Sequence, residues 1–158
     1  MDSPVFTTER IAEVLKLPTW RVVRFAQVED YGITPYYADA SGPGSRRLYS
    51  LENVCEIALA SWLVQAGLQV KVIGRVLEQV RKQGGLSHLL SPDEFKTYLG
   101  VVRSPNGKSS SQETVFIRNW KHLEDASHRY PFTSVLLVPI GLNLYQLNAR
   151  LERAGKGD

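Results

Sequence analysis

The sequence contains a single cysteine, Cys55, and no apolar run near the roughly 20 residues that a membrane-spanning helix needs. One cysteine forms neither an internal disulfide nor a cysteine-rich zinc site, so a reducing cytoplasm is the expected location. The amino terminus also lacks the basic-then-apolar order of a secretory signal. Charge of one sign is not in large excess, because 19 Lys and Arg stand against 16 Asp and Glu. With 43% hydrophobic and 22% charged residues, the chain of 158 residues has the composition of a globular protein.

Two short helices separated by a tight turn are predicted near the amino terminus. Thr8 is expected to cap a helix that runs to about Leu15. Pro18 interrupts this helix because proline has no amide proton to donate. Thr19 is then expected to cap a second helix over residues 20–27. A turn of about three or four residues between two helices is the spacing of a helix-turn-helix unit.

A β-hairpin and two longer helices are predicted to follow. The β-prone residues 31–37 and 46–49 flank a turn rich in Gly, Pro and Ser, which favours a hairpin. Ser50 begins a third helix, and a fourth spans about residues 69–83. Both helices have apolar residues at the helical period.

The second half predicts a small module of mixed structure. The glycine pair at residues 84–85 marks the expected boundary between a first domain, residues 1–84, and this module, residues 85–158. A short helix is expected within residues 86–95. Strands are predicted at residues 98–103, 114–117 and 134–139, and an amphipathic helix at residues 142–153. The fold class is therefore mainly α with an α+β carboxyl-terminal part.

Five short segments of the first half occur in a fixed order: FTTERIA at 6–12, VRF at 23–25, GITP at 32–35, RLYS at 47–50 and AGLQVKVI at 66–73. In this order and spacing they resemble segments of the MerR-type winged helix-turn-helix DNA-binding domain. The resemblance covers about residues 6–80 and implies a cytoplasmic, homodimeric transcription regulator without catalytic activity. It also implies a second helix in the major groove of double-stranded DNA and a β-hairpin wing on the phosphate backbone. Family members usually dimerise through a long helix after the fourth, and Gly84, Gly85 and Pro92 interrupt such a helix here.

The second helix carries the side chains expected to contact bases. Arg21 and Arg24 lie three residues apart and therefore on one side of that helix, and no acidic residue occurs between residues 14 and 28. An arginine guanidinium donates two hydrogen bonds to guanine O6 and N7, or binds a phosphate. Trp20 is expected to press against a sugar or a thymine methyl, and Thr19 to face a phosphate at the helix start. The alternative is that Trp20 packs in the core and Arg24 pairs with an internal carboxylate.

The predicted wing supplies contacts to the phosphate backbone. Arg46 and Arg47 are adjacent, so on an extended strand they point to opposite faces and only one contacts phosphate directly. The tyrosines of the wing either donate their hydroxyls to phosphates or pack the wing against the third helix, with packing favoured slightly for Tyr49. Lys71, at the start of the fourth helix, either reaches a phosphate or is simply solvated. The full set of expected DNA contacts is Thr8, Thr19, Trp20, Arg21, Arg24, Phe25, Tyr36, Tyr37, Arg46, Arg47, Tyr49 and Lys71.

Enzymatic and metal-dependent functions find little support in the sequence. The three histidines, His88, His122 and His128, share no metal-ligand spacing with a pair of carboxylates. The glycine-containing residues 42–45 and 106–109 lack the full pattern of a phosphate-binding loop. We therefore expect a protein without catalytic activity, cofactor or metal ion.

Two alternatives concern residues 85–158, which can carry a protein or small-molecule effector site. In the first, the chain is an antitoxin-like or adaptor protein whose carboxyl-terminal module binds a protein partner, and DNA binding serves autoregulation. In the second, the module senses a small molecule in an apolar pocket that draws on Tyr98, Phe116, Trp120 and Tyr130. Packing in the core is the more common role of such aromatics. No membrane partner is expected in either case.

Overall fold

The computed structural model describes residues 5–38, 46–103, 112–129 and 134–154, which form a mixed α/β fold with two small antiparallel sheets. The helices are α1 (Thr8–Leu15), α2 (Thr19–Gln27), α3 (Leu51–Gln65), α4 (Val70–Lys82), α5 (Trp120–Arg129) and α6 (Ile140–Ala154). The strands are β1 (Val5–Thr7), β2 (Tyr37–Ala38), β3 (Arg47–Ser50), β4 (Tyr98–Arg103), β5 (Gln112–Ile117) and β6 (Ser134–Val138). None of the helices in these ranges combines the length and the apolar character needed to cross a bilayer.

The predicted pair of short helices is confirmed, but both of the predicted caps are wrong. Thr7, not Thr8, caps α1, because Thr7 has an extended backbone and its hydroxyl accepts the amide hydrogen of Arg10 at 3.3 Å. Thr8 is already the first helical residue. Likewise, Pro18 occupies the cap position of α2, so Thr19 lies inside the helix and makes no capping bond. A cap must precede the helical backbone, and each predicted residue lies one position too late.

The first sheet has the order β1-β3-β2, and its strands β2 and β3 correspond to the predicted hairpin. Of the predicted β-prone residues 31–37, however, only Tyr37 lies in a strand, and Tyr31 belongs to the 3-10 turn Glu29–Tyr31. Strands β2 and β3 are antiparallel, with Tyr37 opposite Leu48. Strand β1, which the sequence did not predict, adds a third strand on the other side of β3 and places Phe6 opposite Tyr49. Residues 39–45, in the predicted hairpin turn, lie outside the described residues.

Helices α3 and α4 form the centre of the first half. Ser50 and Asn53 cap α3 reciprocally, since each side chain accepts the backbone amide of the other. Helix α4 then packs closely against the short 3-10 turn Glu29–Tyr31. Gly74 permits this approach, because a Cβ there would lie 1.8 Å from the carbonyl oxygen of Asp30.

Residues 86–95 form two 3-10 turns, Ser87–Leu90 and Pro92–Glu94, instead of the single short helix that was predicted. Ser91 between them is extended, which is the conformation favoured before a proline. The three predicted strands of the second half are confirmed and form a sheet of order β5-β4-β6. Helix α5 was not predicted.

Both halves of the chain contribute to one hydrophobic core. Ile11 from α1, Ile57 from α3, Leu99 from β4 and Leu144 from α6 are all fully buried in the same cluster. Helix α6 contacts α1, so the end of the chain returns to its beginning. The boundary at residues 84–85 stays a prediction.

Candidate nucleic-acid interface

Helix α2 has one face in the core and one face toward solvent. Val22 and Phe25 are buried, and the Phe25 ring packs against Tyr31 with a centroid distance of 5.3 Å. The expected contact between Phe25 and DNA is therefore wrong, since Phe25 lies three positions after Val22 and both side chains are on the inner face of α2. On the outer side, Trp20 is 61% exposed, which excludes the alternative that it packs in the core. Arg24 is exposed and Arg21 is half-buried.

The two arginines of α2 have no carboxylate partner within the part of the chain that the structure describes. This excludes an internal ion pair of Arg24 with any described acid. Burial raises the pKa of the Tyr31 phenol, and the positive charges of Arg24 and Arg21 oppose that rise. Arg10, Arg81, Lys82 and Arg118, by contrast, each pair with a carboxylate.

The amino terminus of α2 is free to receive an anion. Pro18 offers no side-chain acceptor, and the first turn contains no acidic residue. The Arg21 amide donates to the Pro18 carbonyl at 2.9 Å, whereas the amides of Thr19 and Trp20 have no acceptor among the described residues. Free amides at a helix start, together with the helix dipole, favour a phosphate oxygen. Thr19 is itself exposed beside them.

The β2–β3 hairpin carries a second pair of arginines. Arg46 is exposed, Arg47 is half-buried, and neither pairs with a carboxylate of the described residues. Tyr36 and Tyr37 are both exposed, at 71% and 48%. The hairpin therefore presents two guanidinium groups and two phenols at the molecular surface.

Two of the expected DNA contacts near this hairpin are wrong because their side chains are buried. Tyr49 is completely inaccessible, since its side chain points into the core between β3 and the helices below. Burial raises the pKa of the Tyr49 phenol. The neighbouring Thr8 hydroxyl and the Arg47 charge oppose this rise. Thr8 is buried as well, next to Tyr49. Packing is thus the role of Tyr49.

Lys71 is exposed on the first turn of α4. It lines a polar cleft of about 380 Å³ together with the acidic residues Glu29, Asp30 and Glu78 and the basic residues Arg75 and Arg81. Because acidic and basic side chains balance there, the cleft does not concentrate positive potential around Lys71. Its contact with a phosphate stays a prediction.

The apolar pocket predicted for the second half is present in part. A cavity of about 400 Å³ is lined by Lys96, Tyr98, Ile117, Arg118, Asn119, Leu123 and Leu137. Of the two predicted aromatics whose side chains the structure describes, Tyr98 lines this cavity and Phe116 does not. Phe116 packs partly against the core and its ring contacts His88 edge-on at 6.1 Å. The side chain of Trp120 and all of Tyr130 lie outside the described residues.

Two features of these sites have no signal in the sequence. The free amides of Thr19 and Trp20 depend on which residue caps α2, and the cavity residues Lys96 and Arg118 meet only in three dimensions.

The described residues hold no cluster of three or more potential metal ligands. Comparison of the chain with models of known protein families finds no match, and comparison with curated proteins finds none either.

Proposed function

We propose that this chain is a sequence-specific DNA-binding transcription regulator of MerR type. In this proposal α2 is the recognition helix in the major groove, and the β2–β3 hairpin is a wing on the phosphate backbone. One observation carries it. The inner face of α2 is buried in the core, whereas Trp20 on its outer face is exposed and Arg21 and Arg24 form no ion pair with the described residues.

The chemistry of that outer face fits a DNA groove. An arginine without an internal partner keeps all five guanidinium donors for guanine O6 and N7 or for phosphate. Trp20 adds a flat apolar surface for a sugar or a thymine methyl. The free amides at the start of α2 suit a phosphate at the edge of the groove.

The base of the wing is held by strand pairing on both sides of β3. Strand β3 pairs on one side with β1, which leads directly into α1, and on the other side with β2. Tyr49 anchors β3 in the core that α1 and α2 share. This anchoring supports a wing whose Arg46 and Arg47 contact the phosphate backbone while α2 contacts the groove.

Binding to oligonucleotides selected from a random pool, measured by fluorescence anisotropy, tests the proposal. The wild-type chain should select a defined sequence. Arg21→Ala combined with Arg24→Ala should remove that preference, because each bidentate pairing of arginine with a base supplies about 1–3 kcal/mol of discrimination. Arg46→Ala with Arg47→Ala should weaken binding to all sequences alike. For every phosphate that the variant no longer neutralises, the slope of log K against log salt should become shallower by about 0.9.

A matched control comes from α6, where Arg150 and Arg153 also lie three residues apart and are exposed. Arg150→Ala with Arg153→Ala removes the same net charge and should leave sequence preference intact. Circular dichroism of each variant checks that the fold is kept. Failure of the wild-type chain to enrich any sequence, or unchanged preference in the α2 double variant, would refute the proposal.

A second candidate function is small-molecule sensing by the carboxyl-terminal segment. The cavity beside β4 favours it, because its volume of about 400 Å³ is in the range of ligand sites and its lining is mostly apolar. Lys96 in its lining suits an anionic group on an apolar ligand, whereas Arg118 already pairs with Glu94. A thermal-shift screen of aromatic carboxylates checks this role, and a Leu123→Glu variant should abolish any stabilisation found.

A further inference from the structure

The turn Glu29–Tyr31 joins the carboxyl-terminal end of α2 to the surface of α4. The amide of Val28 donates to the carbonyl of Arg24 at 3.0 Å, and the amide of Tyr31 donates to the carbonyl of Val28 at 3.1 Å. The turn therefore continues directly from the last turn of the helix. Arg24, one of the two arginines proposed to contact bases, lies in that last turn.

Helix α4 holds the turn at two positions. Gly74 has no side chain, and a Cβ at this position would clash with the carbonyl oxygen of Asp30. Arg81 lies seven residues later and therefore on the same face of α4. It donates to the carbonyl of Tyr31 at 3.1 Å and also pairs with Glu56 of α3. The turn is thus fixed against both helices, and the missing side chain at position 74 permits it to lie this close.

The side chain of Tyr31 connects the turn to the inner face of α2. The centroid of its ring lies 5.3 Å from that of Phe25, and both side chains are almost completely buried. Two rings packed in a dense interior do not move independently, because neighbouring atoms fill the space around them. Phe25 follows Arg24 directly in the same short helix. A displacement of the turn therefore changes where the Arg24 guanidinium lies.

We propose that Gly74 is a positioning residue for base recognition, because it lets the turn Glu29–Tyr31 lie against α4 and thereby sets the orientation in which α2 presents Arg24. Its role in DNA binding rests on the proposed function, whereas its effect on α2 is a property of the fold. A side chain at position 74 would push the turn away from α4, and Tyr31 and Phe25 would pass this shift on to α2. The wing should keep its place, because strand pairing holds β3 to β1 and β2.

The first test compares Gly74→Ala with the matched control Gly141→Ala. Gly141 lies in α6, and a Cβ there would clash with the carbonyl oxygen of Glu94 in the same way, but in the second half of the chain. Residual dipolar couplings of backbone amides measure the orientation of α2 relative to α3. This orientation should change in Gly74→Ala and stay as in the wild-type chain in Gly141→Ala. An unchanged orientation in a folded Gly74→Ala chain would overturn the proposal.

DNA binding distinguishes a positioning role from a general loss of stability. On the oligonucleotide that the wild-type chain selects, Gly74→Ala should lose preference at the same base pair as Arg24→Ala. The loss should be at least about fivefold, the lower end of what an arginine–guanine pairing supplies. Non-specific affinity and its salt dependence should match those of the wild-type chain, because the wing still contacts phosphates. Gly141→Ala should keep both properties. Equal losses in the two glycine variants, or a loss spread over all base pairs, would contradict positioning by Gly74.

A second variant decides the matter if Gly74→Ala does not fold. Tyr31→Leu leaves position 74 unchanged but removes the ring that packs against Phe25. It should change the orientation of α2 and reduce preference at the base pair of Arg24, as Gly74→Ala is expected to do. A folded Tyr31→Leu chain with the wild-type orientation and the wild-type preference would overturn the proposal.

The two kinds of measurement separate this proposal from that of the regulator. A wild-type chain that selects no DNA sequence would refute the regulator and with it the role of Gly74 in base recognition, while the couplings still show whether Gly74 sets the orientation of α2. A wild-type chain that selects a sequence, with the same preference in Gly74→Ala and Tyr31→Leu, would refute the positioning role and leave the regulator.

Discussion

Arg81 shows how an arginine of this chain serves the fold and not a ligand. Its Nε lies 2.5 Å from Oε1 of Glu56, a carboxylate on α3 whose residue is only 4% exposed. One of its terminal nitrogens also donates to the carbonyl oxygen of Tyr31 at 3.1 Å. The Arg81 side chain thus connects α3 and α4 with the turn Glu29–Tyr31. Phe25 of α2 packs against Tyr31 of this turn.

Replacing Arg81 by alanine should destabilise the protein by about 3–5 kcal/mol, because Glu56 is then a buried charge without a partner. The Tyr31 carbonyl would lose its donor as well. Urea denaturation followed by circular dichroism measures the change in the free energy of unfolding.

The neighbouring residue Lys82 supplies the control for Arg81. Its Nζ lies 2.7 Å from Oε1 of Glu78, but both side chains are well exposed. Lys82→Ala should therefore cost less than about 1 kcal/mol, as is usual for surface ion pairs. If Arg81→Ala and Lys82→Ala lowered the free energy of unfolding by similar amounts, burial of Glu56 would not be what makes its ion pair with Arg81 strong.

The sequence could predict the chemistry of single residues but not their burial. Spacing placed Arg21 and Arg24 on one side of α2, and both lack a described carboxylate partner. The same spacing rules could not show that Phe25 faces Tyr31 or that Tyr49 is buried beside Thr8. Those contacts depend on how α1, α2 and β3 pack together, which a single sequence does not specify.

Elements with strong local signals were predicted well. Pro18 separates α1 from α2, and Ser50 begins α3 through a capping box. Strand β1 was missed because three residues carry too little periodicity, and its partner β3 is distant in sequence. Helix α5 was missed because its ten residues, WKHLEDASHR, include few apolar ones to mark a face.

Glu94 links two elements of the second half and makes their association sensitive to acid. Its carboxylate accepts the Thr97 hydroxyl at 2.5 Å and pairs with Nε of Arg118, just after β5, at 3.1 Å. The hydrogen bond from Thr97 and then that from Arg118 lower the pKa of Glu94. A carboxyl group with a lowered pKa in the folded state stabilises that state above its ordinary pKa of about 4.3.

The contribution of Glu94 should disappear as the pH falls through its lowered pKa. Melting temperatures of the wild-type chain should therefore decrease between about pH 6 and about pH 3, and Glu94→Gln should show a shallower decrease. Asp93→Asn is the control, because the exposed Asp93 side chain makes no ion pair within the described residues. If the melting temperature of Glu94→Gln depended on pH as that of the wild-type chain does, this role of Glu94 would be excluded.

At the scale of the whole molecule, the glycine pair at residues 84–85 changes the direction of the chain without dividing its core. Both glycines have positive φ, at 101° and 79°. Beyond them, the Glu52 carboxylate of α3 accepts the amides of Leu86 and Ser87 at 2.6 and 2.8 Å. Helix α6 then packs against α1. The glycine pair marked this bend in the sequence, but contacts across it could not be predicted from local patterns.

Because the core is shared, a cavity in α6 should destabilise the first half as much as the second. Leu144 is fully buried in the common cluster, so Leu144→Ala should cost about 2–5 kcal/mol. Native-state hydrogen exchange should show equal losses of protection in α3 and in β4. Leu142→Ala, at an exposed position of the same helix, should change protection by less than about 0.5 kcal/mol. Loss confined to β4 and α6 would mean that the predicted boundary at residues 84–85 separates two independently stable domains.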